Sequence, residues 1–167
     1  VLKKISKMDN VNGRFQIFNS KKSIKVIIDY AHTPIALENV LNTINEIRKK
    51  NENIITVIGC GGNRDKKKRP IIGKKAALLS DKVILTSDNP RNENPKKIIE
   101  DMIKGVSPSD FKKIIKVTDR EKAIMESKRI SQPGDIILIA GKGHENYQEI
   151  KGKRNPFDDY EIVKKYF

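Results

Sequence analysis

The chain has 167 residues, enough for one domain with its own core, and no apolar run reaches the roughly 18 residues of a membrane span. Its 35 lysines and arginines against 21 acidic residues give a net charge of +14, but they are spread along the chain and only 5% of residues are aromatic, which weighs against a nucleic-acid-binding module. The single cysteine, Cys60, excludes an internal disulfide and a cysteine-based metal cluster, and it fits a reducing cytoplasm.

Apolar runs recur at the spacing of alternating strands and helices. The runs predicted as strands are 24–30, 54–58, 83–86, 114–117 and 135–140, with an edge strand or hairpin near 14–18. The segments predicted as helices begin after Thr33, cover 70–79, 95–104 and 120–130, and end the chain after Asp158. This alternation predicts a Rossmann-like, doubly wound α/β fold: a mostly parallel sheet of about six strands with helices on both faces.

Polar clusters follow four of the predicted strands directly. They are Asp29–His32, Gly59–Asp65, Asp88–Arg91 and Gly141–Glu145. In open parallel sheets, ligands bind beyond the carboxyl ends of the strands. Because scattered solvated residues would not all follow strands, the sequence predicts a binding site at this edge of the sheet.

The segment Asp88–Arg91 (DNPR) combines a carboxylate, an amide and a guanidinium. Arginine offers a planar fork to a carboxylate, and aspartate offers acceptors to an ammonium group. A zwitterionic amino acid would satisfy both. Asp and Asn before Pro are also ordinary turn residues, so a capped turn remains an alternative interpretation.

The other clusters are less specific. The glycines after 58 do not complete G-x-G-x-x-G, and the chain contains no phosphate-binding P-loop sequence. The basic loop, residues 63–69, suits either an anionic ligand or plain solvation. His32 and His144 suit either ligand contact or a structural role, and their spacing predicts no metal site.

Several strings together resemble the C-terminal domain of the Mur ligases, in particular the members that add diaminopimelate. The matching strings span nearly the whole chain: GRF at 13–15, DYAHTP at 29–34, GCGGNRDKKKRP at 59–70, SDNPRNENP at 87–95, DR at 119–120, AGKGHENYQ at 140–148 and PFDD at 156–159. Each string alone is weak, but their combination and order are specific. The basic loop departs mildly from the family, with Asn63 and Lys67 where Asp and Gly are common.

The resemblance implies that residues 1–167 are the single amino-acid-binding domain, the third of a three-domain cytoplasmic enzyme. The absence of an initiator Met and of a P-loop agrees with that expectation. The implied reaction is ATP-dependent amide formation through an acyl phosphate, which joins meso-diaminopimelate to UDP-N-acetylmuramoyl-L-Ala-D-Glu. The preceding domains would bind the UDP-sugar, most of the ATP and Mg²⁺, so the domain alone would hold no catalytic residue or metal and would be inactive.

The resemblance also implies individual roles. Six residues would bind the diamino acid: Arg64, Asp88, Asn89, Arg91, Gly141 and Glu145. Asp29, Tyr30 and His32 would face the nucleotide. Arg91 favours a substrate with a distal carboxylate, because lysine would leave its guanidinium unpaired and family members that select lysine lack it. Lanthionine keeps both ends of diaminopimelate and would also fit.

Two alternatives remain beside this prediction. Another Mur or folylpolyglutamate-type ligase shares the fold, but glutamate has no distal ammonium for Glu145. A basic nucleic-acid-binding module, the less favoured alternative, would bind DNA on a filter at physiological salt.

Overall fold

A computed structural model describes residues 12–20 and 23–167. This part of the chain is organised around a six-stranded sheet. Its strands in chain order are β1 (Gln16–Asn19), β2 (Lys25–Asp29), β3 (Ile54–Cys60), β4 (Lys82–Ser87), β5 (Ile114–Lys116) and β6 (Ile136–Ala140). Their order across the sheet is β1–β2–β6–β3–β4–β5, and each neighbouring pair is parallel except β1 with β2.

The described residues also form five α-helices and one six-residue 3₁₀ helix, Pro108–Lys113. The α-helices are α1 (Pro34–Ile47), α2 (Lys68–Leu79), α3 (Pro95–Ile103), α4 (Arg120–Ile130) and α5 (Asp159–Tyr166). Four of them begin after a side chain that accepts a hydrogen bond from an N–H of the first turn: Thr33, Asn94, Asp119 and Asp158. These caps satisfy donors that have no partner inside a helix, and they fix where the helices start.

The core has two apolar layers, one on each face of the sheet. Leu41 of α1, Ile72 of α2 and Met102 of α3 are buried in the first layer. Ile124 of α4 and Val163 of α5 are buried in the second. Strands covered on both faces must be apolar throughout, which explains their isoleucine-rich runs. The predicted α/β class, mostly parallel sheet and helices on both faces are confirmed.

Element boundaries differ from the prediction by one or two residues at several ends, and two of these differences have a local cause. Helix α2 begins at Lys68, two residues before the predicted start at Pro70. Proline is tolerated there because the N–H groups of the first turn have no helical partner. Strand β1 begins at Gln16 rather than Arg14, because Gly13 and Phe15 adopt positive φ values of 71° and 45° in a turn.

A hairpin that the sequence did not predict follows the last strand of the sheet. It consists of β7 (Tyr147–Ile150) and β8 (Lys153–Pro156). The turn residues Lys151 and Gly152 have φ values of 50° and 75°, as a two-residue type I′ turn requires. Every residue of β8 is exposed, so no apolar alternation marks this strand in the sequence.

Candidate functional site

A cleft of about 430 Å³ lies at the carboxyl ends of β2, β3, β4 and β6. Eight of the nine residues predicted for substrate or nucleotide line it: Tyr30, His32, Arg64, Asp88, Asn89, Arg91, Gly141 and Glu145. The parallel strands place these ends at one edge of the sheet, although the residues are far apart in the chain. The cleft therefore collects both arginines and both carboxylates that were predicted to bind the diamino acid.

One side of the cleft, the carboxylate wall, is formed by Asp88, Asn89 and Glu145, with the buried Lys142 supporting them. Lys142 is fully buried, and its Nζ donates to Asn89 Oδ1 and Glu145 Oε2, each at 3.1 Å. Asn89 Nδ2 donates to the same Glu145 oxygen at 2.8 Å. Within the described residues no hydrogen bond uses Glu145 Oε1. Glu145 is thus held at one oxygen and can accept from a ligand at the other.

Asp88 forms the base of this wall and is 8% exposed. Its Oδ1 accepts a hydrogen bond from Asn89 N at 2.6 Å. The pKa of the Asp88 carboxyl is raised, chiefly by burial, although the positive charges of Arg120 and Lys142 oppose this shift. An ammonium group in the cleft would favour the ionised form.

Gly141 contacts Asp88 so closely that no side chain fits. A Cβ on Gly141 would lie 2.9 Å from Asp88 Oδ2, and the φ of Gly141 is +113°. Glycine alone adopts this backbone conformation readily. The predicted residue Gly141 therefore lets the strand ends of β4 and β6 approach each other at the wall.

Arg91, at the other end of the Asp88–Arg91 turn from Asp88, has its guanidinium held by two contacts. Its Nη1 donates to Gly62 O at 2.8 Å, and its Nε lies 3.3 Å from Glu149 Oε2. Its backbone, with φ of 50°, pairs with β7 through Glu149 O and the Lys151 N–H. The described contacts leave Nη2 without a partner, and a carboxylate can accept a hydrogen bond from it.

Two arginines of the basic loop differ in their contacts: Arg69 is buried in ion pairs, whereas Arg64 is exposed. Arg69 is 1% exposed and makes a two-bond ion pair with Glu93, both bonds 2.9 Å, and a 3.1 Å bond to Asp101. The hydrogen bond from Arg69 is the main reason that the pKa of Glu93 is lowered to about 2. Arg64 is exposed and, within the described residues, makes no hydrogen bond or ion pair.

Of the three residues predicted to face the nucleotide, two line the cleft and one does not. Tyr30 and His32 line the cleft with their ring centroids 4.6 Å apart, and His144 packs on Tyr30 at 5.1 Å. Asp29 does not line the cleft. Its two oxygens accept the backbone N–H groups of Phe15 and Ala31, each at 2.8 Å. In this structure Asp29 ties the turn before β1 to the end of β2.

Three residues at or beneath the site had no predicted role: Arg120, Lys142 and Glu149. Arg69, predicted with the rest of the basic loop to meet an anionic ligand or solvent, is instead held by Glu93 and Asp101. Lys142 carried a signal, since a lysine between two glycines directly after a buried strand has little room to reach solvent. Arg120 and Asp159 lie in matching strings, but nothing in the spacing indicates that they pair. Glu149 belongs to the unpredicted hairpin, so its contact with Arg91 was not visible either.

Two absences apply to residues 12–20 and 23–167. No group of three or more His, Cys, Asp or Glu residues there is arranged to hold a metal ion. No helix there is long and apolar enough to cross a membrane.

Cys60 also lines the cleft. Burial is the main cause that raises the pKa of its thiol to about 12, so the thiol stays protonated at neutral pH.

Comparison with known proteins gives three findings. The UDP-N-acetylmuramoyl-L-alanyl-D-glutamate–2,6-diaminopimelate ligase of Bacteroides thetaiotaomicron is 52% identical over all of this chain and 35% of its own length. A solved structure with the same ligase name matches with a TM-score of 0.86 at 42% identity, covering 96% of this chain and 32% of that one. A folylpolyglutamate synthase/dihydrofolate synthase from Yersinia pestis, complexed with AMPPNP and Mn, has a TM-score of 0.62 at 17% identity over 83% of this chain, which shows a shared fold alone.

The chain spans about a third of the length of the curated relatives it matches. The family described as Mur ligase, glutamate ligase domain matches residues 13–143, which is most of the chain. This match confirms the resemblance seen in the strings at the strand ends. The chain therefore belongs to the Mur ligase family, through its glutamate ligase domain.

Proposed function

We propose that this chain is the amino-acid-binding domain of an ATP-dependent ligase that acts in cytoplasmic peptidoglycan precursor synthesis. The ligase would add meso-diaminopimelate, or a close analogue such as lanthionine, to UDP-N-acetylmuramoyl-L-Ala-D-Glu. The proposal is supported by relatives that carry this ligase name and are 52% identical to the chain. It is also supported by the chemistry of the cleft.

The observation that carries the proposal is the division of charge in one cleft of about 430 Å³. Arg64 and Arg91, whose Nη2 has no partner among the described residues, line it together with the carboxylates of Asp88 and Glu145. A diamino-dicarboxylic acid has carboxylates for the guanidinium groups and an ammonium for the acidic side chains. Glutamate supplies no second ammonium, and lysine supplies no second carboxylate.

The expected work of these residues is to bind and orient the diamino acid. Arg91 and Asp88 would fix its distal end, with Glu145 accepting from the ammonium. That orientation would direct the other amine toward the D-glutamyl carboxyl group. The amine can attack this carboxyl group only once it is activated. ATP, when bound, supplies the phosphoryl group that activates the carboxyl group as an acyl phosphate.

The described residues fit the edge of a nucleotide but not its phosphates or metal. Tyr30 and His32 offer ring faces beside the cleft. The described part of the chain has no carboxylate cluster for Mg²⁺ and the chain has no P-loop. Binding of ATP phosphates and Mg²⁺ is therefore assigned, in this proposal, to the preceding domains.

The selectivity of Arg91 can be tested in the full-length ligase. Arg91→Lys keeps the charge but loses the planar fork, and we expect the Michaelis constant for meso-diaminopimelate to rise about tenfold or more. Steady-state kinetics with meso-diaminopimelate, lanthionine, lysine and glutamate as acceptors would measure this. Arg129→Lys is the matched control, because Arg129 is exposed and pairs with Glu126 away from the cleft. An unchanged constant in Arg91→Lys would refute the selector role.

The isolated chain provides a second test. We expect no amino-acid-dependent ATP hydrolysis from residues 1–167 alone, because the phosphate and metal sites are assigned to other domains. Phosphate release would be measured with and without meso-diaminopimelate, and the full-length ligase would serve as the positive control. Sustained turnover by the isolated chain would contradict the proposal that the preceding domains bind the ATP phosphates and Mg²⁺.

A further inference from the structure

Two of the family strings, DR at 119–120 and PFDD at 156–159, meet in the structure beneath the carboxylate wall. Arg120 Nε donates to Asp159 Oδ1 at 2.8 Å, and Arg120 Nη2 donates to Asp159 Oδ2 at 2.7 Å. Both side chains are completely buried. The pair joins the first residue of α4 to the first residue of α5.

The rest of the Arg120 guanidinium contacts the sheet. Nη2 donates to Ala140 O at 3.1 Å, and Nη1 makes a longer contact of 3.5 Å with Ser87 O. Ala140 ends β6 and Ser87 ends β4, and these two strands are not neighbours because β3 lies between them. One planar group therefore bridges two strand ends that no sheet ladder connects directly.

Those two strand ends carry opposite parts of the carboxylate wall. Asp88 follows Ser87, whereas Gly141 follows Ala140 and leads to Lys142 and Glu145. The fit between the two parts is tight, since even a Cβ on Gly141 would approach Asp88 Oδ2 to 2.9 Å. A small change in the spacing of the strand ends would alter the distance between the two carboxylates that face the ligand.

We propose that Arg120, held by Asp159, is a positioning residue that sets the spacing of the carboxylate wall and so tunes binding of the substrate's distal ammonium group. The inference rests on the proposed function, because it assigns the wall to a diamino acid. It adds a role for residues that touch no ligand. The positive charge of Arg120 also supports binding of the ammonium group, because it favours the ionised form of Asp88.

Asp159 is suited to hold Arg120 in one orientation. Its carboxylate receives both bonds in a parallel, two-point geometry that lysine could not reproduce. It also lies at the N-terminus of α5, where the helix dipole favours a negative charge. The guanidinium plane is thereby fixed relative to α5, and Nη1 and Nη2 are directed at the two strand ends.

A purely structural ion pair between α4 and α5 would behave differently. It would affect the stability of the protein, and all substrates would be affected together if the fold loosened. A positioning role predicts a selective rise in the Michaelis constant for the diamino acid. The exposed pair Lys165–Glu121, 3.2 Å apart, joins the same two helices and provides a matched control.

The test uses the full-length ligase with three variants: Asp159→Asn, the double variant Arg120→Met/Asp159→Leu, and the control Lys165→Met. Apolar replacement of both members of a buried ion pair often preserves stability, so the double variant keeps the test valid if Asp159→Asn fails to fold. Michaelis constants for meso-diaminopimelate, ATP and the UDP-linked acceptor are measured together with the melting temperature.

We expect the folded variants Asp159→Asn and Arg120→Met/Asp159→Leu to raise the constant for meso-diaminopimelate about tenfold, with the other two constants changing less than about twofold. Lys165→Met should change none of them. Unchanged or uniformly raised constants in a folded double variant would overturn the inference and leave the proposed function standing. A wild-type enzyme that does not use meso-diaminopimelate would overturn both.

Discussion

The two charged regions of the cleft are held in different ways. In the carboxylate wall, Lys142 and Asn89 each donate one hydrogen bond to Glu145 and are joined by a third, and Lys142 is completely buried. In the basic loop, Arg64 is exposed and makes no hydrogen bond or ion pair among the described residues. One region is therefore preorganised for a ligand, whereas the other must order a long side chain when the ligand arrives.

This difference has an energetic consequence. Immobilising a flexible side chain on binding costs about 0.5–1.5 kcal/mol, so a contact through Arg64 contributes less than its charge suggests. Glu145 has already lost that freedom in the folded protein. The wall should therefore contribute more to discrimination than Arg64, which should add affinity with less discrimination.

The largest expected effect comes from breaking the wall from within. Lys142→Met removes the buried ammonium that holds Glu145 and Asn89, and we expect the Michaelis constant of the full-length ligase for meso-diaminopimelate to rise about thirtyfold or more. The free energy of unfolding of the isolated chain should fall by about 1–3 kcal/mol, because buried acceptors lose their donor. Steady-state kinetics and urea denaturation would measure the two effects.

Lys75→Met is the control for that change. Lys75 also forms an ion pair, with Glu38 at 2.5 Å, but it joins α1 to α2 outside the cleft lining. We expect its kinetics to match the wild type. If Lys142→Met binds meso-diaminopimelate as well as the wild type does, the wall is not preorganised by the lysine.

A smaller effect is expected from replacing Arg64, the exposed arginine of the basic loop. Arg64→Ala removes a guanidinium that the protein itself does not use, so we expect the Michaelis constant for meso-diaminopimelate to rise only about three- to tenfold. The melting temperature should not change. Lys67→Ala, an exposed neighbour in the same loop, should leave both quantities unchanged. A drop in melting temperature for Arg64→Ala would show that Arg64 is structural, like Arg69.

The sequence predicted the fold because the signals were local. Runs such as 136–140 are apolar at every position, as parallel strands buried on both faces must be. Caps such as Thr33 and Asp119 marked helix starts. Strand β8 (Lys153–Pro156) gave no such signal because it is exposed on both faces, and the hairpin was missed with it.

The candidate site was predictable as a location but not as a network. Their positions after predicted strands placed Asp88 and Glu145 at the same edge of the sheet. The contact of Lys142 with Asn89 spans 53 residues, and that of Arg120 with Asp159 spans 39. Such partners depend on strand order and side-chain direction, which composition and spacing do not contain. For the same reason the sequence did not reveal that the oxygens of Asp29 accept from the backbone of Phe15 and Ala31.

The last expected effect, on stability rather than on substrate binding, concerns the ion pair that ties the basic loop to the chain after Arg91. The pKa of Glu93 is about 2 in the folded protein against an ordinary value of 4.5, so its contribution to stability is complete above about pH 4.5 and is lost as the pH falls toward about 2. After allowance for solvent screening, this amounts to about 1–2 kcal/mol. Glu93→Gln should lower the free energy of unfolding by that amount at pH 7 and by less at pH values near 3. Urea denaturation of the isolated chain across this range would measure it, with Glu100→Gln, an exposed change on α3, as the control. An equal loss at both pH values would show that Glu93 stabilises the loop by packing rather than by its charge.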